Sequence, residues 1–273
     1  MKSADLHLHT IFSDGTDTPG ELINKVTAAG LSCFSVVDHD TVAGVGPCLD
    51  LASARGLELI PGIELSAEYD GKEVHILGYL VDFRNRDFLE KLASIREYRV
   101  RRVQMIIDKL KPQGIELDPR SVFELAGNAS VGRMHVARAM VKDGLVGNIY
   151  EAFQKYIGDK CPAYVAGFQL SVKEAARLIR GVSGVPVLAH PYSLHNDDLI
   201  GEFAAIGIMG LEIHYPEHSQ SLVNFYLDLA KRYGLLVTGG SDYHGDAKPD
   251  VKVGAIKIDY TLVEELKKAG NNL

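Results

Sequence analysis

The chemistry open to this chain of 273 residues is set by nine side chains: His7, His9, Asp14, His39, Glu64, His75, His190, Asp242 and His244. In a β-strand, side chains two apart point the same way. The segment Asp5-Leu6-His7-Leu8-His9 therefore presents Leu6 and Leu8 on one face and two imidazoles on the other. Other short apolar runs also stop at a ligand-type residue: Ser35-Val36-Val37-Asp38-His39, Gly62-Ile63-Glu64, Val74-His75, Val187-Leu188-Ala189-His190 and Gly240-Ser241-Asp242-Tyr243-His244. Six imidazoles and three carboxylates exceed the roughly three or four protein ligands that one ion takes. They suit two or three divalent ions sharing a carboxylate. Nitrogen and oxygen donors without sulfur point to Zn, Mn or Fe rather than Ca or Cu(I); of these, Mn is the ion expected. Any one of the nine, taken singly, also reads as a satisfied core or capping group. The whole set read that way would need costly ionisable groups to converge without a partner.

The elements that must position these residues alternate. Strands are expected over Ala4–His9, Cys33–Asp38, Glu58–Pro61 and Glu73–Leu80. A helix capped by Thr18 with Pro19 at its first position and another over Val42–Ala54 lie between them. The rhythm breaks from about 86 to 165, where only helices are expected: Phe88–Leu110, Pro119–Ala126, Arg133–Lys142 and Ile149–Tyr156. It resumes with helices at Val172–Arg180, Asp198–Ala205, Ser219–Tyr233 and from Leu262. The strands between them are Val185–His190, Gly210–His214, Leu235–Thr238 and Val253–Ile258. Strands alternating with helices imply βα units and a parallel sheet. Seven or eight such units around one core, with the chemical residues at the strands' C-terminal ends, describe an α/β barrel. The expected layout is a metal-binding barrel over 1–85 and 166–273 and an all-helical insertion over 86–165 that contacts substrate. No glycine-rich nucleotide loop follows the first strand, which argues against a dinucleotide fold.

Composition narrows the class. No apolar run approaches the ~18 residues needed to span a bilayer, and the first strand begins too soon after Met1 to leave room for a signal peptide. Cys33, Cys48 and Cys161 are widely spaced with no Cys-x-x-Cys, and read as reduced packing residues of a cytoplasmic protein. The net charge of −7 hides an asymmetry: Phe83 to Phe168 carries 15 basic against 10 acidic residues, the remainder 14 against 26. An acidic frame for cations beside a basic segment suits an anionic substrate. On charge alone, a solvated helical face is the better account of the basic segment.

His7-x-His9, Asp38-His39, His190-Pro191 and Ser241-Asp242-x-His244 resemble the motifs of the polymerase and histidinol phosphatase (PHP) family of metal-dependent phosphoesterases. The resemblance spans nearly the whole chain and implies a distorted (β/α)7 barrel with two or three metals. It implies that His7, His9, Glu64 and Asp242 hold one ion, and that Glu64, His75 and His190 hold a second. Asp14, His39 and His244 would hold a third. On this reading Asp14, His39, Glu64, Asp242 and His244 are the catalytic group. Many relatives have histidine at the position of Asp14, so the third site here is richer in oxygen. Gly132-Arg133-Met134-His135 resembles the Gly-Arg-Pro-His motif of a branch that removes phosphate from nucleotides, with Met134 the departure.

The residues also point to an anion pocket. Phe88, Leu92, Ile95, Arg99, Val103, Ile106 and Leu110 share one helical face, so Arg99 sits mid-stripe among apolar neighbours. A buried guanidinium needs an anion, either a protein carboxylate or a substrate phosphate. Arg96 and Arg102 flank the stripe and read as solvated, with Arg102 able to reach a second phosphate. Arg133 and His135 open a helix whose N–H groups favour phosphate. The expected substrate-binding set is thus Arg99, Arg102, Arg133 and His135. The reaction that the resemblance implies is hydrolysis of a phosphorylated nucleotide, most simply the 3′-phosphate of a 3′,5′-bisphosphonucleotide. A 5′→3′ exonuclease on short RNA or DNA, a histidinol-phosphate phosphatase and a non-catalytic module are the alternatives. No protein partner is evident.

Overall fold

The computed structural model describes residues 2–168 and 170–272. Its strands are β1 (Ser3–Leu8), β2 (Cys33–Val36), β3 (Glu58–Tyr69), β4 (Lys72–Tyr79), β5 (Val185–Leu188), β6 (Gly210–His214), β7 (Leu236–Gly239) and β8 (Ile258–Asp259). They lie in the order β7-β6-β5-β4-β3-β2-β1-β8. The two ends approach one another beyond β7, where His9 N–H donates to Tyr243 O (2.9 Å) and Tyr243 N–H to His7 O (3.3 Å). Gly240 permits that approach, because a Cβ there would run into the His7 backbone and Cβ. The result is a nearly closed, distorted barrel, as expected.

The strands are not uniformly parallel. β1–β2, β2–β3, β5–β6 and β6–β7 pair in parallel, whereas β3–β4, β4–β5 and β1–β8 are antiparallel. The cause is local. Asp70 and Gly71 both have positive φ (51° and 73°), the conformation of a two-residue hairpin turn whose twist matches its flanking strands. β3 therefore runs on past Pro61 to Tyr69 and folds straight back as β4. Glu64 and His75 accordingly lie within a hairpin, where Glu64 faces Leu77 and Ser66 faces His75, and not at strand ends. The expected strand over Val253–Ile258 shrinks to β8. Gly254 turns there with φ 73°, and its N–H is held by Asp5 Oδ2 at 2.8 Å.

The early helices are α1 (Pro19–Ala28) and α2 (Val45–Ser53). Thr18 and Glu21 close a capping box on α1, with Pro19 at its start. Between β4 and β5 come α3 (Arg86–Leu110), α4 (Pro119–Ala126), α5 (Arg133–Lys142), α6 (Ile149–Ala152) with a π turn to Ile157, and α7 (Val172–Arg180). After β5 come α8 (Leu199–Ala205), α9 (Gln220–Tyr233) and α10 (Tyr260–Gly270). Among the described residues, no strand falls between 86 and 165. Helix α3 belongs to two cores. Phe88, Leu92 and Ile95 pack with Leu8, Phe34 and Ile63 of the barrel, whereas Val103, Ile106, Ile107 and Leu110 pack with Val122, Val136 and Met140. Arg99 sits at the junction. No described helix is long and apolar enough to cross a membrane.

Candidate metal centre

Five of the six imidazoles of the centre are oriented through one nitrogen, which leaves the other to face inward. His7 Nδ1–H donates to Glu212 Oε1 (2.7 Å), so Nε2 is the free atom. His244 Nδ1–H donates to the Asp242 carbonyl (2.9 Å). His190 Nδ1 meets Ser193 Oγ (3.2 Å), His75 Nε2 meets Glu73 Oε1 (3.1 Å) and His9 Nδ1 lies 3.4 Å from Ser13 Oγ. Such outer partners fix ring orientation at metal sites. His190 and Asp242 carry positive φ (28° and 53°), a backbone conformation that stores strain and clusters at functional sites. Asp38 staples the adjoining loop: it accepts from Thr10 N–H (2.8 Å), Thr10 Oγ1 (2.7 Å) and Ser13 Oγ (2.7 Å). Asp14 ends that loop.

The inward atoms form a cage. His7 Nε2 lies 3.1 Å from His9 Nε2, 3.2 Å from Glu64 Oε2 and 3.3 Å from Asp242 Oδ1. His9 Nε2 lies 3.2 Å from Glu64 Oε2 and 3.4 Å from Asp242 Oδ1. Separations of this size are those between donor atoms bound about 2 Å from one first-row divalent ion, and His7, His9 and Asp242 form one group that could hold it. Glu64 turns its other oxygen, Oε1, to His75 Nδ1 (2.9 Å) and His190 Nε2 (3.3 Å). Asp14 Oδ1 lies 3.3 Å from His244 Nε2. His39 stands between groups, with Nδ1 3.4 Å from Glu64 Oε2 and Nε2 3.9 Å from Asp14 Oδ2. Asp14 Oδ1, His39 Nδ1 and His75 Nδ1 are buried without a hydrogen-bond partner. Buried polar atoms left so are costly, and cations held by His9, Asp14, His39 and His244, and by His39, Glu64 and His75, would offset that cost. The residues present therefore fit divalent metal.

The electrostatics agree. Burial by itself would raise the Glu64 and Asp242 carboxyls. His39, His7 and His75 instead hold Glu64 well below the usual range, and Lys248, His7 and His244 do so for Asp242. Burial disfavours a charged His7, but Glu212, Glu64 and Asp242 overcome it and lift the ring well above its ordinary value. In the same way His9 is lifted to about 9 and His75 to about 10. Burial wins at His39 and His244, which are pushed down. The carboxylates thus stay ionised and draw protons onto neighbouring rings, in positions that a metal would take over.

The centre lies in a cavity of about 240 Å³ whose wall includes Arg99, Arg102, Arg133, Tyr192, Tyr215 and Lys248. The anion opposite Arg99 is a protein carboxylate: Nε donates to Asp40 Oδ2 (2.6 Å), with further bonds to Ser66 Oγ (2.8 Å) and Val131 O (3.2 Å). Arg102 is not solvated as expected. It is 4 % exposed and donates to Glu73 Oε2 (2.8 Å) and Val165 O (2.9 Å), because α3 turns it under the segment that leads back to the barrel. Arg133 pairs with Asp159 (2.8 Å) and Glu73 (3.2 Å) and lies over the Phe153 and Tyr164 rings. His135 does not line the cavity. Its Nδ1 accepts from Gly132 N–H (3.2 Å), and burial pushes it down to about 4. His195, His214 and His218 lie outside this cavity as well.

The sequence reading missed Glu212, Glu73, Tyr215 and Lys248. Tyr215 O–H (2.7 Å) and Lys248 Nζ (2.6 Å) both donate to Asp242 Oδ2, the oxygen turned away from His7 and His9. Glu212 interrupts the apolar run of β6 and is fully buried, a signal that was available. Lys248 stands in a loop and carried none.

The PHP domain profile matches residues 5–158. The chain belongs to the PHP family. Three curated relatives of the PHP chain are similarly close. It is 31% identical over 260 residues to a 3′,5′-nucleoside bisphosphate phosphatase of Chromobacterium violaceum, covering 93% of this chain and 91% of that one. It is 32% identical to a 5′-3′ exoribonuclease of Haemophilus influenzae (89% and 90% covered). It is 31% identical to a phosphoribosyl 1,2-cyclic phosphate 1,2-diphosphodiesterase of Eggerthella lenta (88% and 94%). A solved structure from Bifidobacterium adolescentis, described as a metal-dependent phosphoesterase, superposes with a TM-score of 0.90 at 30% identity, covering 98% of this chain and 96% of that one. This PHP protein is accordingly a metal-dependent phosphoesterase, a hydrolase of phosphoric esters.

Proposed function

We propose that the enzyme removes the 3′-phosphate of a 3′,5′-bisphosphonucleotide to leave a 5′-mononucleotide, using two or three divalent ions, Mn first. His7, His9, Glu64 and Asp242 would hold one ion. Glu64, His75 and His190 would hold a second, with Glu64 as bridge, and Asp14, His39 and His244 a third. Bound there, the ions would supply Lewis acidity toward the phosphoryl oxygens and activate water for attack.

The chain's own groups do the rest. Arg133 and Lys248 bring positive charge to the cavity wall, where charge on the transferring phosphoryl group is best offset. Arg99 and Arg102, clamped by Asp40 and Glu73, make that wall rigid. Tyr215 and Lys248 hold the outer oxygen of Asp242, so the inner oxygen keeps its aim.

The observation that carries the choice of a single nucleotide is the scarcity of stacking surface. A chain-binding groove offers a row of aromatic platforms. Three Phe or Tyr rings line the cavity, Phe153, Tyr192 and Tyr215. Tyr215 is buried with its hydroxyl on Asp242, which leaves two rings and no row. Tyr98, Phe123 and Tyr150 lie outside the wall. Tyr98 packs edge-on to Phe168, Phe123 packs on the insertion core and Tyr150 is 73% exposed. The exoribonuclease relative, at equal identity, keeps a 5′→3′ exonuclease as the second reading.

The test is phosphate release in Mn²⁺ from 3′,5′-bisphosphonucleotides, mononucleotides, short 5′-phosphorylated oligoribonucleotides and histidinol phosphate, with metal content measured on the same sample. The bisphosphonucleotide should have the highest kcat/KM. Preference for the oligomers would replace the first reading with the second.

A further inference from the structure

The metal cavity is small. At about 240 Å³ it falls below the ~300–1,000 Å³ typical of small-molecule sites, and ions with a phosphoryl group would largely fill it. A second cavity of about 510 Å³ adjoins it, and Glu73 and Ser193 belong to both walls. Three other clefts share no wall residue with the metal cavity. The shared residues touch the metal centre directly: Glu73 holds His75 and Ser193 holds His190.

Three observations say what the second cavity is for. Its wall mixes Tyr69, Leu194 and Leu199 with polar groups, among them Asn196. Its charges nearly cancel, since Lys72 and Lys160 face Asp70, Glu73 and Asp159. That balance gives a phosphate dianion no net attraction. It suits a neutral ligand with an apolar ring face and several hydroxyl or amino donors, which carboxylates accept. Backbone strain is also concentrated here. Lys160 and His195 both have positive φ (67° and 52°) and come from two separate segments to line one space. Strain of that kind persists where surrounding structure enforces it, commonly at ligand sites.

We propose that this second cavity is the nucleoside seat, holding the base and sugar of the substrate while its 3′-phosphate lies among the metal ligands and its 5′-phosphate stays at the boundary of the two cavities, where Arg133 stands against Glu73 and Asp159. The proposal deepens the nucleotide phosphatase reading and rests on it. It makes the β3–β4 turn, the end of the helical insertion and the loop before α8 joint determinants of specificity.

The test fills the cavity from two independent walls, with Asn196→Trp at its exposed rim and Lys72→Trp at the start of β4. Each variant is first checked for an unchanged melting temperature, so that a folding failure in one leaves the other to decide. The readout is the ratio of kcat/KM for 3′,5′-bisphosphoadenosine to that for phenyl phosphate, which has no nucleoside. A fall of at least tenfold, carried by KM, is expected. A ratio within twofold of the parent enzyme overturns the proposal. Calorimetry with adenosine, which carries no phosphate, reads the cavity without catalysis. Binding to the parent that is lost in the variants supports the seat, and equal binding or none at all overturns it. If the parent hydrolyses neither ester, the phosphatase reading fails, and the adenosine measurement still decides the cavity.

Discussion

Replacing Glu212 by Gln probes the centre from behind while leaving every proposed ligand in place. The Glu212 carboxylate accepts from His7 Nδ1–H at 2.7 Å and from the His190 backbone N–H at 2.9 Å, and both Glu212 and His7 are fully buried. A glutamine amide can satisfy one of these donors with its oxygen but must turn its NH₂ group to the other. Facing His7, that NH₂ requires Nδ1 to accept. The ring proton then moves to Nε2, the atom aimed at His9, Glu64 and Asp242. Metal binding must expel it. Outer partners of metal-bound histidines are commonly worth about 10–100-fold in affinity or activity, which is roughly 1.4–2.8 kcal/mol at 1.4 kcal/mol per decade. Glu212 serves two ligands, so the upper part of that range is expected. The assay is calorimetric titration of metal-stripped protein with Mn²⁺, alongside kcat/KM against Mn²⁺ concentration. E212Q should bind about 30–100-fold more weakly and regain much of its rate at saturating metal. Parental affinity with a low kcat would refute the tautomer argument.

Further outcomes follow from the same geometry. Asp242→Asn should lose more than the ~100-fold expected of an outer-shell change with its circular dichroism intact, since Oδ1 faces both His7 and His9. An active variant would remove Asp242 from the ligand set. Gly240→Ala should cost about 1–3 kcal/mol by overpacking and weaken metal binding, because its Cβ would press on His7. Denaturant melts and the same metal titration check this. The metal-stripped protein should lose stability as pH rises. His9 and His75 have folded values raised to about 9 and about 10, so their contribution is complete below the ordinary histidine value near 6.5 and is lost as pH passes 9 to 10. Bound metal should flatten that decline, since it replaces the protons. A melting temperature of the stripped protein that rises between pH 7 and 9.5 would contradict the assignment.

The sequence by itself determined the ligand types and most of their neighbourhoods. His7 and His9 share a face because the strand period is two, and Leu6 and Leu8 are fully buried on the other. The cap at Thr18, the long apolar face of α3 and the all-helical run after residue 86 were legible because each is written in short-range spacing. So was the Asp70-Gly71 hairpin signal, which the alternating rhythm of strands and helices masked. Only the tertiary structure decided which way long side chains spend their charge. Helical spacing placed Arg99 in an apolar stripe, but whether Asp40 or a substrate met it depended on a turn 59 residues away. Arg102 looked solvated until the returning chain covered it. Glu212 and Tyr215 gained their roles from His7 and Asp242, partners that no local pattern joins to them. Periodicity fixes the face a residue presents, whereas ion pairing and cavity shape arise where segments distant in sequence close upon one another.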